Sequence, residues 1–184
     1  MQAFTVKSNN GLLRVLQTPI TVLIPNTQTN IKSNAIWDTG ATSSVITKKI
    51  ISQLGLFPTG MSKVSTANGV VDQHTYIVDI QLPNNVICKD ITVTGVSDLS
   101  GGCDVLIGMD IINAGDFSIT NYNGTTCMSF RFPSSHEIDY VKNPLWKHEP
   151  NSNSKLTSGN LGNTSRNAQC SCGSGKKYKQ CCGK

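Results

Sequence analysis

Residues 35–47 read AIWDTGATSSVIT. Asp38 closes an apolar run and precedes Thr39-Gly40, and a second apolar pair, Val45-Ile46, follows within the same stretch. Asp and Gly are ordinary turn residues: Asp bonds its own backbone, and Gly accepts left-handed dihedrals. A simple turn would satisfy the pattern. A carboxylate held for chemistry would satisfy it too. Ile36 and Trp37 would anchor the approach, Gly40 would let the backbone turn tightly beside the carboxylate, and Val45 and Ile46 would return the chain to a core. Thr39 adds a hydroxyl that can bond across a pair of such loops.

On either side of this stretch, from residue 12 to about 132, short apolar runs alternate with Gly, Pro, Asn and Asp. ITVLIP, NAIWDTG, SSVIT, TYIVDIQLP, VICKDITVTGV, CDVLIGMDII and MSFRFP are rich in Val, Ile and Thr. That composition at close spacing predicts an all-β domain. YIVDIQLP places Tyr76, Val78, Ile80 and Leu82 on one face and Asp79 and Gln81 on the other, the pattern of a half-buried strand. Two short helices are expected. TKKIISQLGL (47–56) has Thr47 as cap, Ile50, Ile51 and Leu54 on one side and Gly55 as stop, and DIINAG follows Met109 and ends at Gly115.

Peptide hydrolysis by carboxylates needs two of them sharing a water. Like charges so close cannot both ionise cheaply, so the apparent pKa values of the pair separate and acid and base coexist. One Asp-Thr-Gly is half of such a device. Its companion signature is DVLIGMDII (104–112), where Leu106-Ile107-Gly108 stands about seventy residues after Asp38, just before the second helix.

WDTGATSSVI and DVLIGMDIINAGDF together resemble the retropepsin family of aspartic proteases over roughly residues 12–132. The resemblance implies a closed or sandwich-like β fold with a flap hairpin and a short helix. It implies Asp38 as the catalytic carboxylate, supported by Thr39, Gly40 and Ala41, with the Thr hydroxyl gripping a partner loop. Leu106, Ile107 and Gly108 would cross behind that loop. KVSTANGVVDQHTYIV carries the hairpin signal Asn68-Gly69, and by its order in the chain Ala67, Asn68 and Gly69 would form the flap over an extended peptide or unfolded protein substrate. No second Asp-Thr-Gly or Asp-Ser-Gly occurs, so two copies must each supply one Asp38, in a symmetric homodimer with one site on its two-fold axis. The competing reading is a non-catalytic dimeric adaptor that holds peptides in the same groove. For Asp104, Asp110 and Asp116 the expectation is a loop or cap role.

Beyond Pro133 the character changes. HEIDYVKNPLWKHEP keeps aromatics that can pack on the domain, whereas NSNSKLTSGNLGNTSRNAQ (151–169) has too little apolar content to offset its ordering entropy and reads as a flexible tether. Charge divides at the same place. Residues 1–148 hold ten Lys/Arg and ten Asp/Glu, while residues 149–184 hold six Lys/Arg and only Glu149. A nucleic-acid surface on the main domain is therefore poorly supported; a basic tail that binds RNA would show itself by steep salt dependence.

Four of the seven cysteines lie in the last fifteen residues, as CSCGSGKKYKQCCG. Cys170, Cys172, Cys181 and Cys182 match a tetrahedral structural Zn2+, which would supply the folding energy of a segment with no core of its own. Two disulfides are the alternative, disfavoured by the adjacent Cys181-Cys182 and by the lack of a recognisable export signal. The segment resembles the SEC-C motif, which implies a docking element for a SecB-like chaperone or the ribosome. Cys88, Cys103 and Cys127 are expected as small core residues. The expected organisation is a protease domain over 1–133, an extension and linker over 134–169 and a zinc knot over 170–184, in a bacterial cytoplasmic protein without a membrane span.

Overall fold

The computed structural model describes residues 2–66, 69–142, 167, 169 and 175–181. Two compact units divide the chain, Met1–Glu137 and Ile138–Lys184. In the first, strands β1 (Gln2–Lys7), β2 (Gln17–Leu23), β3 (Asn30–Trp37) and β4 (Val45–Thr47) precede helix α1 (Lys48–Leu54). Then come β5 (Gly60–Thr66), β6 (Gly69–Gln81), β7 (Ile87–Val96), β8 (Val105–Ile107), helix α2 (Met109–Ile112), β9 (Asp116–Thr120) and β10 (Cys127–Phe132). The all-β expectation is met. No helix among the described residues is long and apolar enough to cross a membrane.

Seven strands form one sheet in the order β2-β3-β8-β4-β7-β6-β5, and a further pairing of β2 with β6 closes six of them into a ring. Closure removes the open edges that a flat sheet would expose. β5 lies outside the ring and, among the described residues, pairs only with β6, from Gly60↔Thr75 to Thr66↔Gly69. The pairing of β6 with β7 begins at Thr75↔Thr94, so residues 69–74 of β6 and their partners on β5 form a two-stranded arm. Residues 67 and 68, which join the strands, lie outside the described residues. The ladder reaches Gly69 itself, with φ +118°.

Alternation along β6 buries Tyr76, Val78, Ile80 and Leu82 against the ring's core. The polar face of that strand departs from expectation at one point. Asp79 is buried as well, beside an irregularity in the pairing of β6 with β7, and its Oδ1 accepts the Asp90 N–H at 2.8 Å. A buried carboxylate needs such a donor, because desolvation without one costs several kcal/mol.

β1, β10 and β9 make a second, three-stranded sheet. Its rows Phe4↔Phe130↔Phe117 and Val6↔Met128 carry the apolar side chains. Trp37 joins the two sheets: its ring stacks on Phe117 at 5.6 Å and meets Phe4 and Phe130 at 5.9 and 5.1 Å, and its Nε1 donates to the Thr18 hydroxyl at 2.9 Å. The residue before Asp38 is thus among the most firmly held in the chain.

α1 ends as its sequence predicts. Gly55 adopts a left-handed conformation, φ 62°, and its N–H closes on the last turn, a geometry that Gly adopts at little cost. Thr47 precedes the helix, but its hydroxyl does not cap it. It donates instead to Asp104 Oδ1 at 3.3 Å. Of the scattered cysteines, Cys103 is buried and Cys88 packs half-buried against the core. Cys127 sits on the face of β10 opposite Met128 and Phe130 and is not a core residue.

In the second unit, Ile138, Tyr140 and Val141 are exposed. Further on, an isolated antiparallel bridge joins Gln169 to Lys177, and Tyr178–Gln180 form one tight helical turn. Cys170, Cys172 and Cys182 lie outside the described residues.

Candidate active site

The Asp38 loop exists because β8 separates the two strands that the loop connects. β8 runs parallel to β3, with Ile36↔Leu106 and Trp37↔Ile107, and antiparallel to β4, with Val45↔Leu106. Residues 38–44 must therefore arch over the end of β8, where Gly108 lies. A Cβ on Gly108 would stand 2.7 Å from both the carbonyl carbon and the oxygen of Ser43 and 3.0 Å from the Ala41 oxygen. Only glycine allows this contact. The Leu106-Ile107-Gly108 element thus packs beneath the loop of Asp38.

Hydrogen bonds fix the loop at several points. The Asp38 N–H donates to the Ile107 carbonyl at 3.0 Å, the Ala41 N–H to the Asp38 carbonyl at 3.3 Å, and the Met109 N–H to the Ala41 carbonyl at 2.8 Å. The Gly40 N–H donates to Asp38 Oδ1 at 2.8 Å. Asp38 is half-buried, and Thr39 and Gly40 are exposed. Among the described residues, the Thr39 hydroxyl has no hydrogen-bond partner within the chain.

Asp110 has a role that the sequence reading missed. It is not merely a cap on α2. Its carboxylate accepts the Ser44 N–H and the Ser44 hydroxyl, both at 2.8 Å, as well as the Ile111 N–H at 2.9 Å. The Ser44 oxygen in turn accepts the Gly108 N–H at 3.1 Å. Loop, β8 and helix thus share one network, and Ser44 is fully buried within it. A signal for this exists in the sequence, since an acidic residue in the first turn of a helix is placed to accept free N–H groups. The choice of Ser44 as its partner is tertiary.

Two other carboxylates are structural. Asp104 gathers the Ser33 and Thr47 hydroxyls and the Lys49 ammonium, tying β3 to the start of α1. Asp116 accepts from Arg131, from Ser134 Oγ at 2.6 Å and from the Ser135 N–H at 3.0 Å. The hydrogen bonds from Ser134, Arg131 and Ser135 together hold its carboxyl well below the usual carboxylate range. Arg131 also donates to His136 Nδ1 at 2.6 Å.

Beside the Asp38 loop opens a pocket of about 320 Å³, bounded by residues 40–43, Val45, Ser62, Lys63, Val64 and Thr94. It lies between the loop and the first strand of the β5–β6 arm. Cys88 and Cys103 are unsuited to nucleophilic work: burial first, and nearby carboxylates second, push the Cys88 thiol up to about 11 and raise that of Cys103.

A ring of short strands with one Asp-Thr-Gly loop braced on an apolar-Gly crossing defines a retropepsin-like domain. Comparison with known proteins agrees. Residues 26–114 match the family described as "gag-polyprotein putative aspartyl protease", and residues 166–184 match the SEC-C motif. The chain is thus similar to the aspartyl proteases over 26–114 and to the SEC-C motif over 166–184. No curated protein matches it. Among solved structures, a retropepsin-like aspartic protease from Rickettsia conorii is similar with a TM-score of 0.44 and 15% identity, covering 70% of this chain and 93% of that one. The EIAV protease complexed with the inhibitor HBY-793 gives a TM-score of 0.42 and 17% identity over 54% and 86% of the two chains. The Simian Foamy Virus (mac) protease gives 0.36 and 18% over 52% and 92%.

Proposed function

We propose that this protein is an aspartic endopeptidase of the bacterial cytoplasm, active as a symmetric homodimer whose two Asp38 carboxylates face one another across the two-fold axis. The observation that carries the reading is the Asp38 loop: one half-buried carboxylate, braced from below, in a chain with no second copy of its motif. One Asp38, ionised, takes a proton from a shared water as the oxygen attacks the scissile carbonyl carbon. Its partner, protonated, donates to the carbonyl oxygen, and the C–N bond then breaks as the leaving nitrogen is protonated. Thr39, exposed and without a side-chain partner among the described residues, supplies the inter-loop grip, with Gly40 and Ala41 shaping the turn. Residues 67–69 tip the arm that closes over an extended peptide.

The apolar surface that such a dimer needs lies close by. Leu12, Leu13 and Val15 are exposed, on a segment whose Leu16 carbonyl accepts the Trp37 N–H at 3.0 Å. Burying such side chains between two copies contributes favourably at roughly 25 cal/mol per Å².

Cys170, Cys172, Cys181 and Cys182 would hold a structural Zn2+, and the donor set suits it. The Gln169–Lys177 bridge folds the stretch before Cys170 back beside the stretch before Cys181. The ion would supply folding energy to a segment without a core, and the closed knot on its 134–169 tether would recruit the 1–133 domain to a SecB-like chaperone or the ribosome.

The test is digestion of a diverse peptide mixture by the full-length protein and by Asp38→Asn, read by mass spectrometry from acidic to neutral pH. Cleavage with a bell-shaped pH profile, abolished in Asp38→Asn, is expected. No cleavage by a protein shown to be dimeric would refute the peptidase reading in favour of a peptide-holding adaptor.

A further inference from the structure

We infer that the pocket beside the Asp38 loop selects a carboxamide side chain, Asn or Gln, in the bound peptide; this rests on the peptide-groove reading above. The pocket begins at Gly40, two residues from Asp38, so a peptide lying over the carboxylate brings a side chain near its scissile bond to this mouth.

Four hydroxyls line it, those of Thr42, Ser43, Ser62 and Thr94. Among the described residues, none of the four makes a side-chain hydrogen bond within the chain. Thr94 matters most, because it is only 7% exposed. Its strand pairs in parallel with β4 at Val45↔Thr94, and Val45 and Thr94 both line the pocket. On the opposite face of β7, Val93 is fully buried in the core, and a Cβ at Gly95 would run into Tyr76 and Ile51. The Thr94 hydroxyl therefore forms the pocket floor, open to the pocket's water and with no protein partner among the described residues.

A hydroxyl both donates and accepts, and a carboxamide does the same from two adjacent atoms. An aliphatic side chain would strip water from Thr94 without replacing it, and a polar site so treated rejects the apolar analogue. No carboxylate lines the pocket. Its one charge, Lys63, lies opposite Asp72 in the β5–β6 ladder and alternates away from Ser62 and Val64. The pocket is therefore built for a neutral polar group, with Val45 and Val64 left to meet its methylenes.

The experiment uses full-length protein and an equimolar synthetic peptide library in two arms. One reads cleavage by the wild type; the other reads peptides retained by Asp38→Asn. The expected result is Asn and Gln enriched about tenfold over Leu and Val at one position within two residues of the cut, the modest factor reflecting a pocket open on one side. Thr94→Val, and separately Ser62→Val on the exposed arm, should reduce that enrichment to twofold or less. Enrichment of aliphatic or acidic residues instead, or Asn/Gln enrichment that survives both variants, would overturn the inference. If the wild type cuts nothing while Asp38→Asn still retains Asn/Gln peptides, the subsite stands and the peptidase reading falls. If no peptide is cut or retained, both fall.

Discussion

Gly108→Ala adds a single methyl group where the loop of Asp38 rests on β8. The new Cβ would sit 2.7 Å from the Ser43 carbonyl carbon and oxygen and 3.0 Å from the Ala41 oxygen. Ordinary contact begins near 3.4 Å, so residues 41–43 must rise by roughly 0.7 Å, because the obstacle is backbone and cannot rotate aside. That displacement breaks the 3.2 Å bond from the Asp110 N–H to the Thr42 carbonyl and weakens the 2.8 Å bond from the Met109 N–H to the Ala41 carbonyl. Overpacking of this kind costs about 1–3 kcal/mol, and each bond lost adds about 0.5–1.5 kcal/mol. The expected destabilisation is about 2–4 kcal/mol, measured as a lower urea midpoint with unchanged slope. On the proposed mechanism, cleavage per folded molecule should fall by about tenfold to a hundredfold, since Asp38 rides on the displaced loop. Gly124→Ala is the control: it meets nothing within 4 Å and bears only the strain of φ +71°, about 1 kcal/mol. If Gly108→Ala unfolds no more readily than Gly124→Ala, the loop does not rest on β8 as described.

Three further outcomes follow from the site and its frame. Asp110→Ala leaves the buried Ser44 N–H without an acceptor and should cost about 1–3 kcal/mol; Ser44→Ala added to it should cost less than its own single effect, a non-additivity read in a urea double-mutant cycle. Asp116 has a depressed folded pKa, so its contribution is full above the ordinary carboxylate pKa of about 4 and is lost as pH falls toward the folded value. Thermal melts across acidic pH should accordingly show part of the acid sensitivity missing in Asp116→Asn. In native protein at pH 8, Cys88 should be alkylated by iodoacetamide far more slowly than after denaturation, because a thiol near pKa 11 is almost wholly protonated; equal rates would refute its packing against the core.

Much of the site can be read directly from the sequence because its constraints are local. Asp38 needs a glycine two residues on to turn, and apolar neighbours to hold the turn. All of these lie within AIWDTGATSSVIT. The strands of the ring announce themselves by alternation, and α1 by its spacing and Gly55. β1 was missed because QAFTVK has only two large apolar residues, Phe4 and Val6, and the partners that give them a purpose, Phe130 and Met128, lie more than a hundred residues away. Asp79 was read as solvent-facing because alternation assigns faces but cannot see the irregular β6–β7 pairing that brings the Asp90 N–H onto its carboxylate.

Sequence alone thus determined the carboxylate, its turn, the strand-rich chain and the crossing glycine, since backbone geometry and residue size act at short range. Only the tertiary structure decided which groups serve them. Asp110 reaches Ser44 across sixty-six positions, Thr47 leaves its helix for Asp104, and Thr94, on the face of β7 away from Val93, lines the pocket beside Asp38. Those choices depend on which strands become neighbours, and that is settled by the closure of the ring as a whole.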